Sequence, residues 1–304
     1  MSKSDKKISY TEYREKIISS LVNRRTWQEN GIWRRTGTPM AHILPVEHTY
    51  SPKQNRENRA NAIKNYVNCD CKKCLGPRLT GLHQFAHHLN SSQQLCMKFF
   101  SELIDENRCA TEAMVNFIKN TLEIDIHVGA ICEFEHTESS NPDYQFTIDK
   151  NGNLIEGAGV YEGTSFDFYI KDNSVEIFFE IKFTEHGFKK EKGDPHQAKS
   201  AKYLEQAPEF LKEIITDSSE FLKQYQIYRN IIRAQDSNKY VVFITDANNP
   251  ATNEDYEMMK KLNLPSNIKF TTWQELISNP NNYPFELPLQ LKAMQDYKNA
   301  VVNS

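Results

Sequence analysis

Residues 165–183 read SFDFYIKDNSVEIFFEIKF, and the way this stretch folds decides the architecture. Two strongly apolar runs flank a polar break, with Asp167, Glu180 and Lys182 set among aromatic residues. A charge taken out of water is costly unless it is paired or binds a metal, so these three side chains need a physical reason. The central Lys171-Asp172-Asn173-Ser174 has turn composition, and Asp-Asn tolerates the left-handed angles of a two-residue hairpin turn. Pairing Lys171 with Ser174 sets Phe166, Phe168 and Ile170 against Phe179, Ile177 and Val175, which makes one face wholly apolar. On the other face Asp167 falls opposite Phe178, with Glu180 one diagonal step away. Lys182 follows Glu180 on that face, because side chains alternate with period two. Diagonal neighbours lie about 7–8 Å apart, so both carboxylates reach one small divalent cation. A one-residue slip would turn the charges into the apolar face, so the pattern also sets the register.

Outward from this hairpin, Tyr13, Ile17, Ile18 and Leu21 recur at helix spacing and predict a helix over 10–21. Residues 28–60 look loop-like, punctuated by Gly31, Gly37, Pro39, Pro45 and Pro52. One or two helices are predicted over 82–104 and another over 110–122. Strands are predicted at 130–135, 145–148, 165–170 and 175–183. A helical region covers 197–234, broken near Pro208, and KYVVFIT (239–245) is a buried strand. A further strand at 268–272 precedes a short helix. This order argues for an α/β (α+β) fold with a mixed central sheet flanked by helices.

The 304 residues, 38% hydrophobic and 25% charged, suit a soluble globular chain. No apolar run approaches the roughly 20 residues of a membrane span, and MSKSDKK is not followed by a signal-peptide core. The expectation is a cytoplasmic protein with no membrane partner and with reduced cysteines. The net charge of −3 hides a balance of +9 over residues 1–80 and −12 over the remainder. Arg24-Arg25-Thr26-Trp27 and Trp33-Arg34-Arg35 interleave basic and aromatic residues, which suits a phosphate backbone. Arg24, Arg25, Arg34 and Arg35 are therefore the expected DNA contacts. A basic, mostly helical or loop extension over 1–100, a core over 101–280 and a tail over 281–304 complete the expected organisation.

With Asp167, Glu180-Ile181-Lys182 and this order of elements together, the chain resembles the PD-(D/E)XK nuclease superfamily, in its restriction-endonuclease-like branch. The resemblance implies an αβββαβ core. It implies that Asp167 and Glu180 bind Mg²⁺ (or Mn²⁺) and that Lys182 orients or activates the attacking water. Glu112 in ATEAMVNFIKN matches the acid that many members carry on the helix before the first core strand, as a further metal ligand. QYQIYRN places Gln226, Arg229 and Asn230 at i, i+3 and i+4, matching a family Gln helix, with Arg229 able to meet phosphate or an acid. HILP (42–45), HHLNSSQ (87–93) and KFTEHGF (182–188) look similar to a narrower branch, so the likeness covers about residues 40–245. Phe166 departs from the pattern, standing where the motif has Pro. The activity implied is that of a type II restriction-type endonuclease cutting double-stranded DNA as a homodimer, with a cognate DNA methyltransferase as partner. The rivals are a structure-specific repair or recombination nuclease and an inactive nucleic-acid-binding protein of the same fold.

Two other constellations carry chemistry. Cys69-x-Cys71-x-x-Cys74, with His83 downstream, has the residue types of a Cys₃His structural zinc site, against free cysteines in a small loop. His87-His88-Leu89-Asn90 has the residue types of a His/Asn nuclease, against a lead into a helix capped by Asn90 or a following Ser. Gln93 or Gln94 of that helix could then face the site.

Overall fold

The computed structural model describes residues 8–33, 35–137, 146–148, 154–156, 166–188, 190, 194–215 and 217–302. Arg34 and the strand positions expected at 145 and 165 lie outside the described residues. Helix α1 (Tyr10–Arg24) is followed by a small hairpin of β1 (Gly31–Trp33) and β2 (Thr38–Met40). Helices α2 (Pro52–Val67), α3 (Cys71–Leu75), α4 (Ser92–Phe100) and α5 (Glu112–Leu122) come next. Strands β3 (Ile131–His136), β4 (Phe146–Ile148), β5 (Leu154–Glu156), β6 (Phe166–Lys171) and β7 (Glu176–Ile181) follow. Helices α6 (Asp194–Glu205), α7 (Glu209–Ile214), α8 (Ser218–Lys223) and α9 (Tyr225–Ile231) lead to β8 (Lys239–Thr245). The chain then forms α10 (Pro250–Met259), β9 (Ile268–Thr272), α11 (Trp273–Leu276) and α12 (Leu289–Val302).

The central sheet has the order β3-β6-β7-β8-β9. Pairing is antiparallel from β3 to β7 and parallel from β7 to β9. The parallel step needs a crossover, which α6–α9 provide. This is the expected mixed sheet flanked by helices, and α5-β3-β6-β7-α9-β8 is the expected element order.

The β6–β7 turn departs from expectation. Lys171 pairs with Glu176, not Ser174, and the Asp172 N–H donates to the Val175 carbonyl at 2.9 Å. The Asp172 carboxylate explains the shift. Its Oδ2 accepts from the His127 N–H at 2.8 Å and lies 2.7 Å from His127 Nδ1, which holds Asp172 out of the turn. No residue of the turn takes a positive φ. Because the pairing moves by two residues, the side chains of β6 and β7 keep their faces, Phe166 at the start of β6 excepted.

Both faces are covered. Phe168, Ile170, Ile177, Phe179 and Ile181 join a cluster with Phe99, Phe100, Phe117 and Trp273. Tyr169, Phe178, Val241 and Phe243 join a second with Tyr203, Phe221, Tyr225 and Ile231 of the crossover helices. Phe166 was expected with Phe168, yet it packs on Phe178, ring centroids 5.0 Å apart. It lies just past the point where Glu135 of β3 turns left-handed (φ 54°).

Helix α2 was not anticipated in a stretch expected to be loop. Its sequence PKQNRENRANAIKNYV is too polar to show an apolar stripe. It forms from a capped start, Ser51 accepting from the Gln54 N–H with Pro52 in the first turn. Residues 82–91 form turns and an isolated bridge, not helix, and α4 begins after the Ser91 cap. The 281–304 segment carries α12, which packs on α1. One apolar cluster takes Ile17 from α1, Ile118 from α5 and Leu291 from α12.

Helix α1 straps the segment that follows β7. The Tyr10 hydroxyl donates to the Thr184 carbonyl at 2.6 Å. The Tyr13 hydroxyl donates to Asp246 Oδ2 at 2.6 Å and lies 3.2 Å from the Phe183 carbonyl. Burial raises the Asp246 carboxyl above the usual range, opposed by hydrogen bonds from Tyr13, Asn248 and Gln274. Tyr13→Phe therefore leaves a buried carboxylate short of a donor and should lower stability by about 1–3 kcal/mol. Chemical denaturation checks this; an unchanged midpoint would mean that the strap contributes nothing.

Candidate active site

Asp167, Glu180 and Lys182 meet where β7 ends beside β8. One step beyond the Phe168–Phe179 pair, the register sets Asp167 directly across from Glu180, closer than the diagonal expected from the earlier turn. Asp167 Oδ2 accepts the Ile181 N–H at 2.6 Å. Glu180 is only 3% exposed, and three donors meet it. Lys182 Nζ lies 2.7 Å from Oε1, Gln226 Nε2 donates to the same oxygen at 2.7 Å, and Asn230 Nδ2 donates to Oε2 at 2.9 Å. Gln226 and Asn230 stand one turn apart on α9 and so share a face. Arg229 is buried, its Nε 3.4 Å from Asn230 Oδ1 and its guanidinium 5.5 Å from the Tyr225 ring centre.

A carboxylate offers about four lone-pair directions. Among the described contacts, Glu180 Oε2 accepts one hydrogen bond and Asp167 accepts through Oδ2, so each carboxylate keeps acceptor capacity. Burial pushes the Asp167 carboxyl well above the ordinary aspartate range, and Glu180 and Glu135 add to the rise. Lys182 and the Ile181 N–H oppose it without cancelling it. For Lys182, burial pulls the other way but Glu180, Glu185 and Asp167 outweigh it, so its pKa is raised and it remains an ammonium. A carboxyl whose ionised form is penalised beside a second acid is what a divalent cation relieves. The donor set of two carboxylates also fits Mg²⁺, which keeps several waters and takes one or two protein acids. Among the described residues no group of three or more His, Cys, Asp or Glu is arranged to hold a metal.

Glu135 escaped sequence reasoning. The β3–β6 register carries it opposite Asp167, and nothing in ICEFEH separates it from Glu133 until that pairing is known. Gln93 fixes it. Gln93 Nε2 donates to Glu135 Oε1 at 2.6 Å and to the Gly81 carbonyl at 2.8 Å, while its Oε1 accepts the His83 N–H at 2.9 Å. Gly81 is needed there: its φ is +91° and a Cβ would sit 3.0 Å from the Cβ of Glu135. Gln94 faces the core instead, bonded to the Ala86 carbonyl and to Gln290. Asp167, Glu135 and Glu185 line one wall of a cavity of about 590 Å³.

The other expected residues scatter. Glu112 stands exposed at the start of α5, away from the residues that line this cavity. Arg24 pairs with Asp296 through Nε and Nη2, both at 2.5 Å. Arg25 is spent on the carbonyls of Gln28, Glu29 and Ala41 and on Asn30. Arg35 borders a narrow cleft with Arg59 and His87, and Arg34 lies outside the described residues. Cys69, Cys71 and Cys74 are buried thiols. Hydrogen bonds from Cys71 and Cys74 pull the Cys69 thiol well below its usual range. His83 is not with them but on the wall of the acidic cavity.

A mixed five-stranded sheet carrying an acid pair and a lysine at one strand end defines a protein of the restriction-endonuclease-like class. The chain belongs to the family described as Restriction Endonuclease associating with ARP, which matches residues 21–293. Comparison with curated proteins and with solved structures found no match. No helix among the described residues is long and apolar enough to cross a membrane.

The raised Asp167 carboxyl has a measurable consequence. The metal-free fold binds this proton more tightly than the unfolded chain does. Its stability therefore falls as pH rises from the ordinary aspartate value through the raised one. Asp167→Asn keeps an acceptor for the Ile181 N–H and removes the penalty, so at neutral pH without metal it should melt above wild type. Adding Mg²⁺ should raise the wild-type melting temperature and leave that of the variant unchanged. A variant that melts at or below wild type, or that gains equally from Mg²⁺, contradicts this electrostatic account.

Proposed function

We propose that this protein is a metal-dependent endodeoxyribonuclease of the restriction type, hydrolysing phosphodiester bonds in double-stranded DNA. The observation that carries this is Glu180, buried opposite Asp167 and aligned by Lys182, Gln226 and Asn230, in a chain of a restriction-endonuclease family. Asp167 and Glu180 would hold Mg²⁺ (or Mn²⁺), which supplies positive charge beside the phosphate and lowers the pKa of water.

The chain's own groups do the rest. Gln226 and Asn230 fix the Glu180 carboxylate in one rotamer, so the acid is preorganised before substrate arrives. Lys182 stays protonated, which makes it a charge stabiliser and water-orienting donor, not the base that takes the proton. Glu135, held by Gln93, adds negative potential on the Asp167 side, in the part the resemblance gave to Glu112. Arg229 backs Asn230 and acts through it as a positioning residue. Cutting both strands of a duplex calls for two such sites, so the active form is a homodimer, with a cognate DNA methyltransferase protecting the cell's own sites.

Incubating purified protein with unmethylated phage DNA and Mg²⁺, beside EDTA, tests this on a gel. Wild type should give discrete Mg²⁺-dependent fragments. Removing one preorganised stabilising group costs about 10²–10³ in rate, so Glu180→Ala and Lys182→Ala should each lose at least that. Fragments that persist in EDTA, or variants as active as wild type, would overturn the assignment.

A further inference from the structure

The cavity beside Asp167 is richer in rings than phosphodiester cleavage requires. Trp33, at the end of β1, and Phe85 lie nearly parallel, 16° apart with centroids at 5.7 Å, and both are partly exposed. His88 packs on both, at 5.4 and 5.2 Å, and His83 meets Phe85 at 5.2 Å. His42 in turn meets His88 at 5.9 Å. Burial lowers the pKa of His42 and of His88 to about 4, and lowers that of His83 as well. At neutral pH these imidazoles are therefore flat, uncharged rings that both donate and accept hydrogen bonds. The amides of Asn90 and Gln93 share the wall. Arg14 of α1 lines the same cavity and makes no hydrogen bond or ion pair among the described residues.

Uncharged rings for a π-face, amides and imidazoles for an edge, and a guanidinium unpaired among the described residues for an anion together describe a nucleotide. The volume of about 590 Å³ falls in the range of pockets that enclose small organic ligands. A base inside a duplex cannot reach such a recess, because it is stacked and paired; an unpaired or extruded base can. We propose that the Trp33–Phe85 cavity receives an unpaired nucleobase of the nucleic acid held at Asp167 and Glu180, stacked on the rings, with Arg14 on the adjoining phosphate. The proposal rests on the nuclease reading and deepens it. The base site selects substrate by how easily one base leaves its stack, alongside any readout in the grooves.

Binding separates the two claims, since it needs no cleavage. Ca²⁺ replaces Mg²⁺, and fluorescence anisotropy follows the full chain on a labelled duplex, the same duplex with a short central bubble, and the single strand. Wild type should bind the bubble roughly tenfold tighter than the paired duplex, because the unpairing cost is already met and the stack is kept. Trp33→Ala should remove that preference, and Trp33→Phe, which restores a ring, should recover most of it. Phe85→Leu gives an independent variant should Trp33→Ala fail to fold, as melting curves will show. A single strand bound as tightly as the bubble identifies single-stranded nucleic acid as the source of the base; a bubble alone bound tightly identifies extrusion from a duplex. Equal wild-type affinity for bubble and paired DNA, or a ringless variant that keeps the preference, overturns the base site and leaves the nuclease reading standing. No affinity for any DNA overturns both.

Discussion

Everything in this structure that bears on chemistry depends on one buried carboxylate. Glu180 sits at the end of a central strand with almost no water, and an acid there is tolerable only because three donors converge on it. Lys182 supplies one from just past the end of the same strand. Gln226 and Asn230 supply the others from α9, which is held against the sheet by Tyr225, Tyr228 and Ile231 in the second apolar cluster. The crossover that makes β7 and β8 parallel thus also delivers the amides that align the acid.

Position is then secured from outside the sheet. The segment leaving β7 carries Lys182 and Glu185, and it is tied to α1 through Tyr10 and Tyr13, to Asn90 through Thr184, and to Asn249 through the Phe183 and Glu185 carbonyls. Helix α1 is braced in turn by α12, through Arg24 and Ser20 on Asp296 and the Tyr13–Tyr297 ring contact at 5.5 Å. The basic N-terminal segment and the C-terminal tail therefore serve the geometry at Glu180, and their charges are partly consumed in doing so. Arg14 is an exception, its guanidinium kept at the cavity.

What the sequence revealed, and what it hid, follows from the range of the forces involved. The faces of SFDFYIKDNSVEIFFEIKF were legible, Phe166 apart, because the alternation of Phe168, Ile170, Ile177, Phe179 and Ile181 with the charged positions admits one buried arrangement. The turn was not, since Asp172 answers to His127, forty-five residues away. The Gln226/Asn230 face was visible in i, i+4 spacing, because helix geometry is local. Glu135 was not, because only the β3–β6 register brings it to Asp167. Helix α2 hid behind polarity, and Arg24 looked free because Asp296 is distant in sequence, while Arg25 is taken up mostly by carbonyls of its own loop, which no side-chain pattern reveals. His83, offered by the sequence as a partner for the three cysteines, stands at the cavity, where its N–H meets Gln93.

The central claim is that Asp167 and Glu180 form one divalent-cation site. The most direct measurement is anomalous scattering from crystals of the full chain soaked in Mn²⁺. A single strong peak is expected between the two carboxylates, about 2.1 Å from an oxygen of each, with the Gln226 and Asn230 contacts to Glu180 retained. A map with no peak there, or with Mn²⁺ bound elsewhere and the Asp167–Glu180 pair unchanged, would contradict it.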